Sequence, residues 1–337
     1  MGIKIKLCSV ILCCTFSALL CGCSKQDDHE ALASAEVSAL QSQVSSLSAQ
    51  VESLKQETIP NIAYKNKNDY LLGKDNPAVS EAVAAKEAVM VDLPDTITIK
   101  GVEYSTSLTA LTLNNMDLTN EDIKDLKYMV NLTELQIYQN KITDISPIKG
   151  LTNLTNLSLF KNEISDLSPL AGLVNLENLY LRSNDIKDIS PLDNLVNLKM
   201  LDISENHISD ITPLAGLHEL TLLRMNDNEI TSISALSGMN NMARLHMQNN
   251  RISDIAPVIN MTELTELYIN NNEVTSLEPI MSLTTIEWLK VGGNPLESLR
   301  PAANLTGLKK LYIEGYTIDE GELEYIREQL PDCTIVK

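Results

Sequence analysis

Apolar residues recur through the centre of the chain with a fixed spacing of 22 positions. The unit first reads NLTELQIYQNKITDISPIKGLT, and eight copies follow one another without insertion over residues 131–306. In the first copy Leu135 and Ile137 alternate with polar residues, as a strand with one buried face would. Ile142 and Ile145 follow after a polar turn. We therefore predict one short strand, one turn and a shared apolar interior in every copy.

Two further columns keep the same phase as the apolar positions. One holds asparagine in every copy: Asn140, Asn162, Asn184, Asn206, Asn228, Asn250, Asn272 and Asn294. The other holds proline in seven of eight copies, with Ala235 as the exception: Pro147, Pro169, Pro191, Pro213, Pro257, Pro279 and Pro301. A period of this length carrying L-x-x-L-x-L-x-x-N-x-L is the signature of leucine-rich repeats.

The predicted fold class is an α/β repeat, a leucine-rich repeat solenoid. We expect a curved right-handed coil with a concave parallel β-sheet and convex 3-10 turns, preceded by a short helical or coiled-coil stalk. Only about eleven residues remain in each copy to cross the convex side, which favours 3-10 turns over full helices.

The polar columns inside the repeat have structural interpretations. Asn140 and its equivalents are predicted to bond backbone groups of the turn and to stack as a ladder. Ser146 before Pro147 resembles an N-cap followed by the first helical residue. Asp144 recurs at 166, 188, 210 and 254, and one carboxylate per copy is typical of a turn cap rather than a calcium site.

The repeats are flanked by two predicted caps. Residues 97–130 form an N-terminal cap and a first, 24-residue repeat. TITIKGVEYS (96–105) alternates like a strand, and we expect it to pair with the first repeat strand and cover the core edge. Thr119 to Asp122 reads as a helix start. Residues 307–337 predict a C-terminal cap with an amphipathic helix and a last strand.

The first 22 residues have the pattern of an export signal, with Lys4 and Lys6 before an apolar run. The run ends in Leu20-Cys21-Gly22-Cys23, which resembles a bacterial lipoprotein box. That resemblance implies cleavage before Cys23, acylation of Cys23 and stable anchoring at the cell membrane. The alternative is an ordinary signal peptide or an uncleaved anchor.

A heptad pattern follows, within a predicted stalk at residues 23–57. Valine occupies the a positions and leucine the d positions of residues 36–57, which favours a weak parallel homodimer. A single amphipathic or partly disordered stalk is the alternative, since three heptads are short. Residues 58–96 read as a linker containing one short helix in SEAVAAKEAVM.

Composition narrows the function classes. The formal net charge is -19, which argues against nucleic acid as a partner. After loss of the signal and acylation of Cys23, only Cys333 remains as a thiol, predicted to be a small hydrophobe of the C-terminal cap. The four histidines fall in separate segments, and no nucleophile with a base, metal spacing or phosphate loop occurs. The sequence therefore predicts a protein that is not an enzyme and needs no cofactor or metal.

The columns around Asp144 and Asp188, with the form I-x-D-I-x-P-L, resemble the internalin type of bacterial leucine-rich repeat over roughly residues 97–337. The resemblance implies a curved solenoid whose concave sheet binds host proteins in some members. The chain departs from that pattern in its strand-like N-terminal cap and in lacking a sortase signal or an immunoglobulin-like domain after the repeats. The resemblance is specific at the level of the repeat class, and these departures argue against a role in invasion of host cells.

Strand residues between the core leucines are predicted to face the concave surface and to bind a ligand. The candidates are Tyr138, Phe160, Tyr180, Arg182, Arg224, Arg244, His246, Tyr268, Trp288, Lys290 and Tyr312. Aromatic residues are 4% of the chain, yet its single Trp and the single Phe outside the signal lie here. Trp, Tyr and Arg are enriched in binding hot spots. The alternative is that these side chains stabilise the sheet laterally, with Asp202 pairing Arg224. Both can hold at once.

Three functions are consistent with these patterns. The leading hypothesis is a lipid-anchored surface protein that binds a protein ligand through the concave face. The second is a structural or assembly role in the cell envelope, and the third is binding of glycans through the aromatic residues.

Overall fold

A computed structural model of the chain describes residues 76–316 and 319–337. Several predictions lie outside the described residues: the export signal, the acylation of Cys23, the coiled coil at residues 36–57 and the first part of the linker. Within the described part, no helix is long and apolar enough to cross a membrane.

The repeats build one parallel sheet, which has eleven strands in the described part of the chain. From β4 to β12 each strand pairs with the strand 22 residues further on, so that Leu135 lies beside Leu157 and Leu157 beside Leu179, while the first and last pairs of the sheet are 24 residues apart. The strands are β3 (Ala110–Thr112), β4 (Glu134–Gln136), β5 (Asn156–Ser158), β6 (Asn178–Tyr180), β7 (Met200–Asp202), β8 (Leu222–Arg224), β9 (Arg244–His246), β10 (Glu266–Tyr268), β11 (Trp288–Lys290), β12 (Lys310–Tyr312) and β13 (Thr334–Val336).

Short 3-10 helices lie on the other side of the core, as predicted. They span Lys124–Tyr128, Ser146–Ile148, Ser168–Leu170, Ser190–Leu192, Thr212–Gly216, Ser234–Gly238, Ala256–Val258, Glu278–Ile280 and Arg300–Asn304. The core between strands and turns is a continuous column of leucine, isoleucine, valine and methionine. The leucine-rich repeat solenoid predicted from the period is therefore confirmed.

The asparagine column forms the predicted ladder. Asn162 donates from Nδ2 to the carbonyls of Leu159 at 2.9 Å and Ile137 at 3.0 Å, the latter in the preceding repeat. Its Oδ1 accepts from the backbone N–H of Ile142 at 3.3 Å. Each amide thus satisfies buried backbone groups of two neighbouring repeats.

The Ser-Pro step differs from its prediction as an N-cap. Ser146 is the first residue of its 3-10 helix rather than the residue before it. The capping acceptor is Asp144, whose carboxylate accepts from the Ser146 N–H at 2.8 Å and from its hydroxyl at 3.0 Å. Asp166 and Asp188 repeat this geometry. The turn-cap interpretation of the aspartate column is therefore confirmed.

The predicted N-terminal strand is a hairpin. β1 (Thr96–Ile99) and β2 (Val102–Ser105) pair with each other and not with the first repeat strand, so the expected pairing was wrong. Lys100 (φ 50°) and Gly101 (φ 80°) form the turn, and two successive left-handed residues are what a two-residue hairpin requires. Ile97 and Ile99 are nevertheless buried in the core, so the hairpin does cover its edge.

The helices predicted before and after the repeats are both present. α2 (Asn120–Ile123) begins with a capping box between Thr119 and Asp122. At the other end, α3 (Glu320–Gln329) buries Leu323 and Ile326, and β13 extends the sheet beyond β12. Cys333 is half-buried, and burial raises the pKa of its thiol.

A helix from the predicted linker packs against the repeats. Asn76 is the N-cap of α1 (Pro77–Met90). Its side chain accepts from the Ala78 N–H at 3.0 Å and donates to Asn194 at 3.1 Å. Ala82 is fully buried, and Glu81 forms an ion pair with Lys149. The end of the segment read as a linker is thus an ordered part of the repeat domain.

Two glycines make this close approach possible. A Cβ on Gly172 would lie 2.4 Å from both the Ala82 Cβ and the Ala78 carbonyl oxygen. A Cβ on Gly150 would lie 2.9 Å from the backbone nitrogen of Lys86. Because α1 crosses these positions backbone to backbone, neither contact can be relieved by turning a side chain.

Substituting Gly172 by alanine is expected to displace α1 or to strain its packing. The expected loss is about 1–3 kcal/mol of unfolding free energy, the usual cost of overpacking. Urea unfolding measures the loss, and hydrogen exchange over residues 77–90 reports the displacement. Gly238→Ala is the matched control, since the nearest neighbour of its new Cβ is the movable His218 ring at 3.0 Å. Equal effects of the two substitutions would contradict the proposed packing role.

Candidate functional site

The outward side chains of β4–β12, together with the residue two positions after each strand, form three parallel columns. We call this surface the exposed sheet face. The first column runs from Glu134 to Lys310, the second from Gln136 to Tyr312 and the third from Tyr138 to Glu314, one residue per repeat. The central leucine of each strand is buried beneath them. The predicted candidates all lie in these columns.

The second column carries a run of interacting side chains across β7–β12. An Arg224 guanidinium nitrogen lies 3.9 Å from the Asp202 carboxylate, as the sequence suggested. The imidazole of His246 stacks on the Tyr268 ring at 4.1 Å and 9°. Neighbouring strands lie about 4.8 Å apart, which brings rings in adjacent repeats to stacking distance.

Lys290 lies between two aromatic rings of the same column. Its ammonium nitrogen is 4.3 Å from the Tyr268 ring centroid and 4.8 Å from that of Tyr312. Ring faces attract a cation without neutralising its charge. This arrangement orders the lysine and leaves its full positive charge on the sheet face.

His246 is almost completely buried, and its Nε2 lies 3.0 Å from a Glu266 carboxylate oxygen. Its pKa is lowered, chiefly because burial disfavours the charged imidazolium. Glu266 opposes this shift, while the cationic Arg224 and Lys290 add to it. The same Glu266 carboxylate lies 3.8 Å from Arg244. Glu266 therefore interacts with two residues of β9.

Trp288 is the most exposed of the predicted aromatic residues. It lies in the first column beside Glu266 on one strand and Lys310 on the next, with 39% of its surface accessible. It has no stacked ring or overlying cation among the described residues. Lys310 is also exposed, and no described carboxylate lies within 4 Å of it.

The N-terminal candidates form a separate group. Tyr138 and Phe160 stack at 4.1 Å with their planes 14° apart. Tyr180 lies 3.9 Å from the Met200 sulfur. Arg182 pairs with Glu205, and its Nε lies 3.0 Å from that carboxylate. Five strand spacings, roughly 24 Å along the sheet, separate Phe160 from Tyr268.

Sequence reasoning missed two features of the face. Met200 and Leu222 occupy the first column between the two aromatic groups, and Leu222 is buried despite facing outward. Reading that column as a whole would have found this apolar stretch. The second feature is the pairing of Glu266 with His246 and Arg244, because side-chain direction is not encoded in the repeat period.

The described residues contain no group of three or more His, Cys, Asp or Glu side chains arranged to hold a metal ion. One surface depression of about 490 Å³ lies between α1 and the 3-10 turns, where Ala85, Val89 and Pro147 line it. A second, of about 500 Å³, lies near Asp185 and His207. Neither belongs to the exposed sheet face.

A family model described as Leucine Rich repeats (2 copies) matches six overlapping stretches of the chain. These are residues 130–172, 152–194, 174–216, 196–238, 218–260 and 240–280. No curated protein sequence matches the chain.

Several solved structures share the fold. An internalin (inlF) from Listeria monocytogenes is 27% identical, with a TM-score of 0.50, and the match covers 77% of this chain and 89% of that one. Internalin C2 (inlC2) from the same organism is 27% identical, with a TM-score of 0.54, over 69% of this chain and 100% of that one. The functional domain of Listeria InlJ, at 22% identity and a TM-score of 0.54, covers 77% of this chain and 58% of that one and supports the fold alone.

Folding stability is expected to depend on pH through His246. Its pKa in the fold is below the ordinary value of 6.5, so the unfolded state binds more protons between the two values. The contribution of His246 to the free energy of unfolding should therefore be complete above pH 6.5. It should be lost as the pH falls from 6.5 towards the lowered pKa of the folded state. Urea unfolding of the wild type and of His246→Gln between pH 8 and pH 5 measures this.

The pH 8 values give the cost of losing the Tyr268 stacking and the Glu266 hydrogen bond, since His246 is mostly neutral there in both states. Below pH 6.5 the wild type should lose more stability than His246→Gln. Two parallel pH curves would show that this histidine contributes nothing to the dependence.

Proposed function

Because the chain is a leucine-rich repeat protein with structural similarity to Listeria internalins, we propose that it is a surface lipoprotein binding a protein ligand through the exposed sheet face. Leucine-rich repeat proteins of this kind are typically interaction modules rather than enzymes. Acylated Cys23 would anchor the protein at the bacterial membrane, and the stalk would hold the repeats away from it.

One observation carries this proposal. Trp288, the only tryptophan of the chain, is 39% exposed on the face and contacts no other ring among the described residues. Lateral stacking is worth roughly 0.5–1.5 kcal/mol per aromatic pair and accounts for Tyr138, Phe160 and Tyr268. It does not account for Trp288. Tryptophan and tyrosine are enriched in binding hot spots, and here an exposed tryptophan lies near ordered tyrosines.

Other predicted residues would contribute to binding in different ways. Tyr268, Lys290 and Tyr312 are held by one another, so little side-chain entropy would be lost on binding. Tyr138, Phe160 and Tyr180 would offer a second contact area at the other end of the face. Arg182 forms an ion pair with Glu205, so it would border this second contact area rather than insert into a pocket of the ligand.

Trp288→Ala is expected to weaken capture of the protein ligand at least tenfold with the fold unchanged. Hot-spot side chains contribute about 2 kcal/mol or more, and 1.4 kcal/mol corresponds to a factor of ten. The measurement is pull-down from host and bacterial extracts with the full chain in detergent, compared between variants. Tyr325→Ala removes an aromatic of similar exposure (37%) from α3 and is the matched control.

Other outcomes of that experiment would support the competing functions. Loss of retention on polysaccharide, with protein capture unchanged, would replace the proposal by glycan binding. If Trp288→Ala changes neither, while deleting residues 36–57 abolishes function in cells, the chain is a structural component of the envelope.

Cys23→Ser is expected to move the protein from the membrane fraction to the soluble or culture fraction. The substitution removes the only proposed acylation site, and anchoring by acyl chains depends on that site. Fractionation with detergent phase partition measures the change. Cys21→Ser is the control and should leave the protein with the membrane. Membrane retention of Cys23→Ser would indicate an uncleaved anchor instead.

A further inference from the structure

We propose that the C-terminal end of the exposed sheet face binds an acidic segment of the partner protein, with Trp288, Lys290 and Lys310 as its subsite. This inference rests on the proposed function, since it names the chemistry of a partner at the same face. We call these three residues the acidic-segment subsite.

Several lysines of this acidic chain, whose formal charge is -19, pair with a nearby carboxylate. Lys309, one residue before Lys310 and on the other side of the strand, lies 2.7 Å from Glu287. Lys199 likewise lies 2.8 Å from Glu177. On the exposed face, Lys290 and Lys310 have no carboxylate within 4 Å among the described residues, so their charges are left for a ligand.

The Glu266 carboxylate is directed away from the two lysines. Glu266 lies beside Trp288 in register and could have reached across to Lys310 or Lys290. Its carboxylate instead meets His246 at 3.0 Å and Arg244 at 3.8 Å, both on β9. Glu266 therefore forms no ion pair with Lys290 or Lys310.

Trp288, Lys290 and Lys310 lie close together on the exposed sheet face. Trp288 and Lys310 are register partners on adjacent strands, about 4.8 Å apart, and Lys290 is two residues after Trp288 on the same face, about 6.6 Å away. The two lysines thus flank the exposed indole. A carboxylate between them could accept from both ammonium groups while an apolar neighbour packs on the ring.

Lys290 is already held in place before a ligand binds. The Tyr268 and Tyr312 rings hold the Lys290 ammonium from both sides. A lysine already ordered loses less rotamer entropy when it binds a carboxylate. These observations favour a protein loop or strand with two or more carboxylates next to an apolar side chain.

The overall negative charge makes this inference selective. A polyanion is repelled by the chain as a whole, so it binds only where local cations outweigh that repulsion. Binding of an acidic peptide is therefore specific evidence for the subsite, whereas binding of a basic peptide would follow from net charge alone.

Tryptophan fluorescence tests the proposal directly, because Trp288 is the only tryptophan in the chain. The full chain in detergent is titrated with deca-glutamate, deca-lysine and heparin, each free of tryptophan. We expect a saturable change in emission with deca-glutamate that weakens at least tenfold between low and 0.3 M salt, where screening shortens the reach of charges to below about 8 Å.

The double variant Lys290→Gln/Lys310→Gln should bind deca-glutamate at least tenfold more weakly. The matched control is Lys161→Gln/Lys187→Gln, which removes two lysines that also lack a described carboxylate within 4 Å but lie outside the subsite. Lys290→Arg should retain binding, since it keeps the cation between the tyrosines. Far-UV circular dichroism and urea unfolding in the absence of peptide check that each variant is folded.

Three results would overturn the proposal: no saturable change with deca-glutamate, equal loss in the two double variants, or a response to deca-lysine in its place. A response to heparin alone would assign the subsite to sulfated glycans. Failure of the proposed function is separable. Protein capture that is indifferent to salt and to the lysine variants refutes only the subsite, whereas deca-glutamate binding without any captured protein refutes only the function.

Discussion

The amide ladder of the asparagine column is the interaction on which the repeat domain depends. Each asparagine bridges its own turn and the preceding one, as Asn206 does with the carbonyls of Ile203 and Leu181, both at 3.1 Å. The residue before it adopts a left-handed backbone, for example Glu205 at φ 53°, which is costly for a side chain other than glycine. An unsatisfied buried backbone group costs about 1–3 kcal/mol, so neither the period nor this conformation can drift.

That constraint explains why so much of the fold could be predicted. The period fixed strand positions, the inward leucines and the outward columns, because one register holds for every rung. The sequence did not predict which segments distant in the chain pack against one another. The alternation in residues 96–105 indicates strands but does not say whether they pair with the sheet or with each other. Nothing in the sequence around Gly150 and Gly172 indicates that a helix crosses them.

The exposed sheet face shows the same division. Its columns were predictable, and so was the pairing of Asp202 with Arg224, since a strand spacing sets which residues are neighbours. The direction of the Glu266 side chain towards β9 was not predictable. The rotamer of a carboxylate among several cations depends on the combined attraction of those cations and on burial, and neither can be read from the repeat period. The chemistry of the C-terminal end of the face follows from that one side-chain direction.

The docking of α1 has a mechanical consequence. In a stack of repeats each rung touches only its neighbours, so a pull on one end would ordinarily peel rungs off one by one. α1 spans several rungs, and its N-terminal Asn76 is bonded to Asn194, well inside the stack. A pull on Asn76 that is directed along the stacking axis would therefore load α1 in shear, beginning at the rung of Asn194. The first repeats and the hairpin would be shielded from that force until the helix slides or detaches.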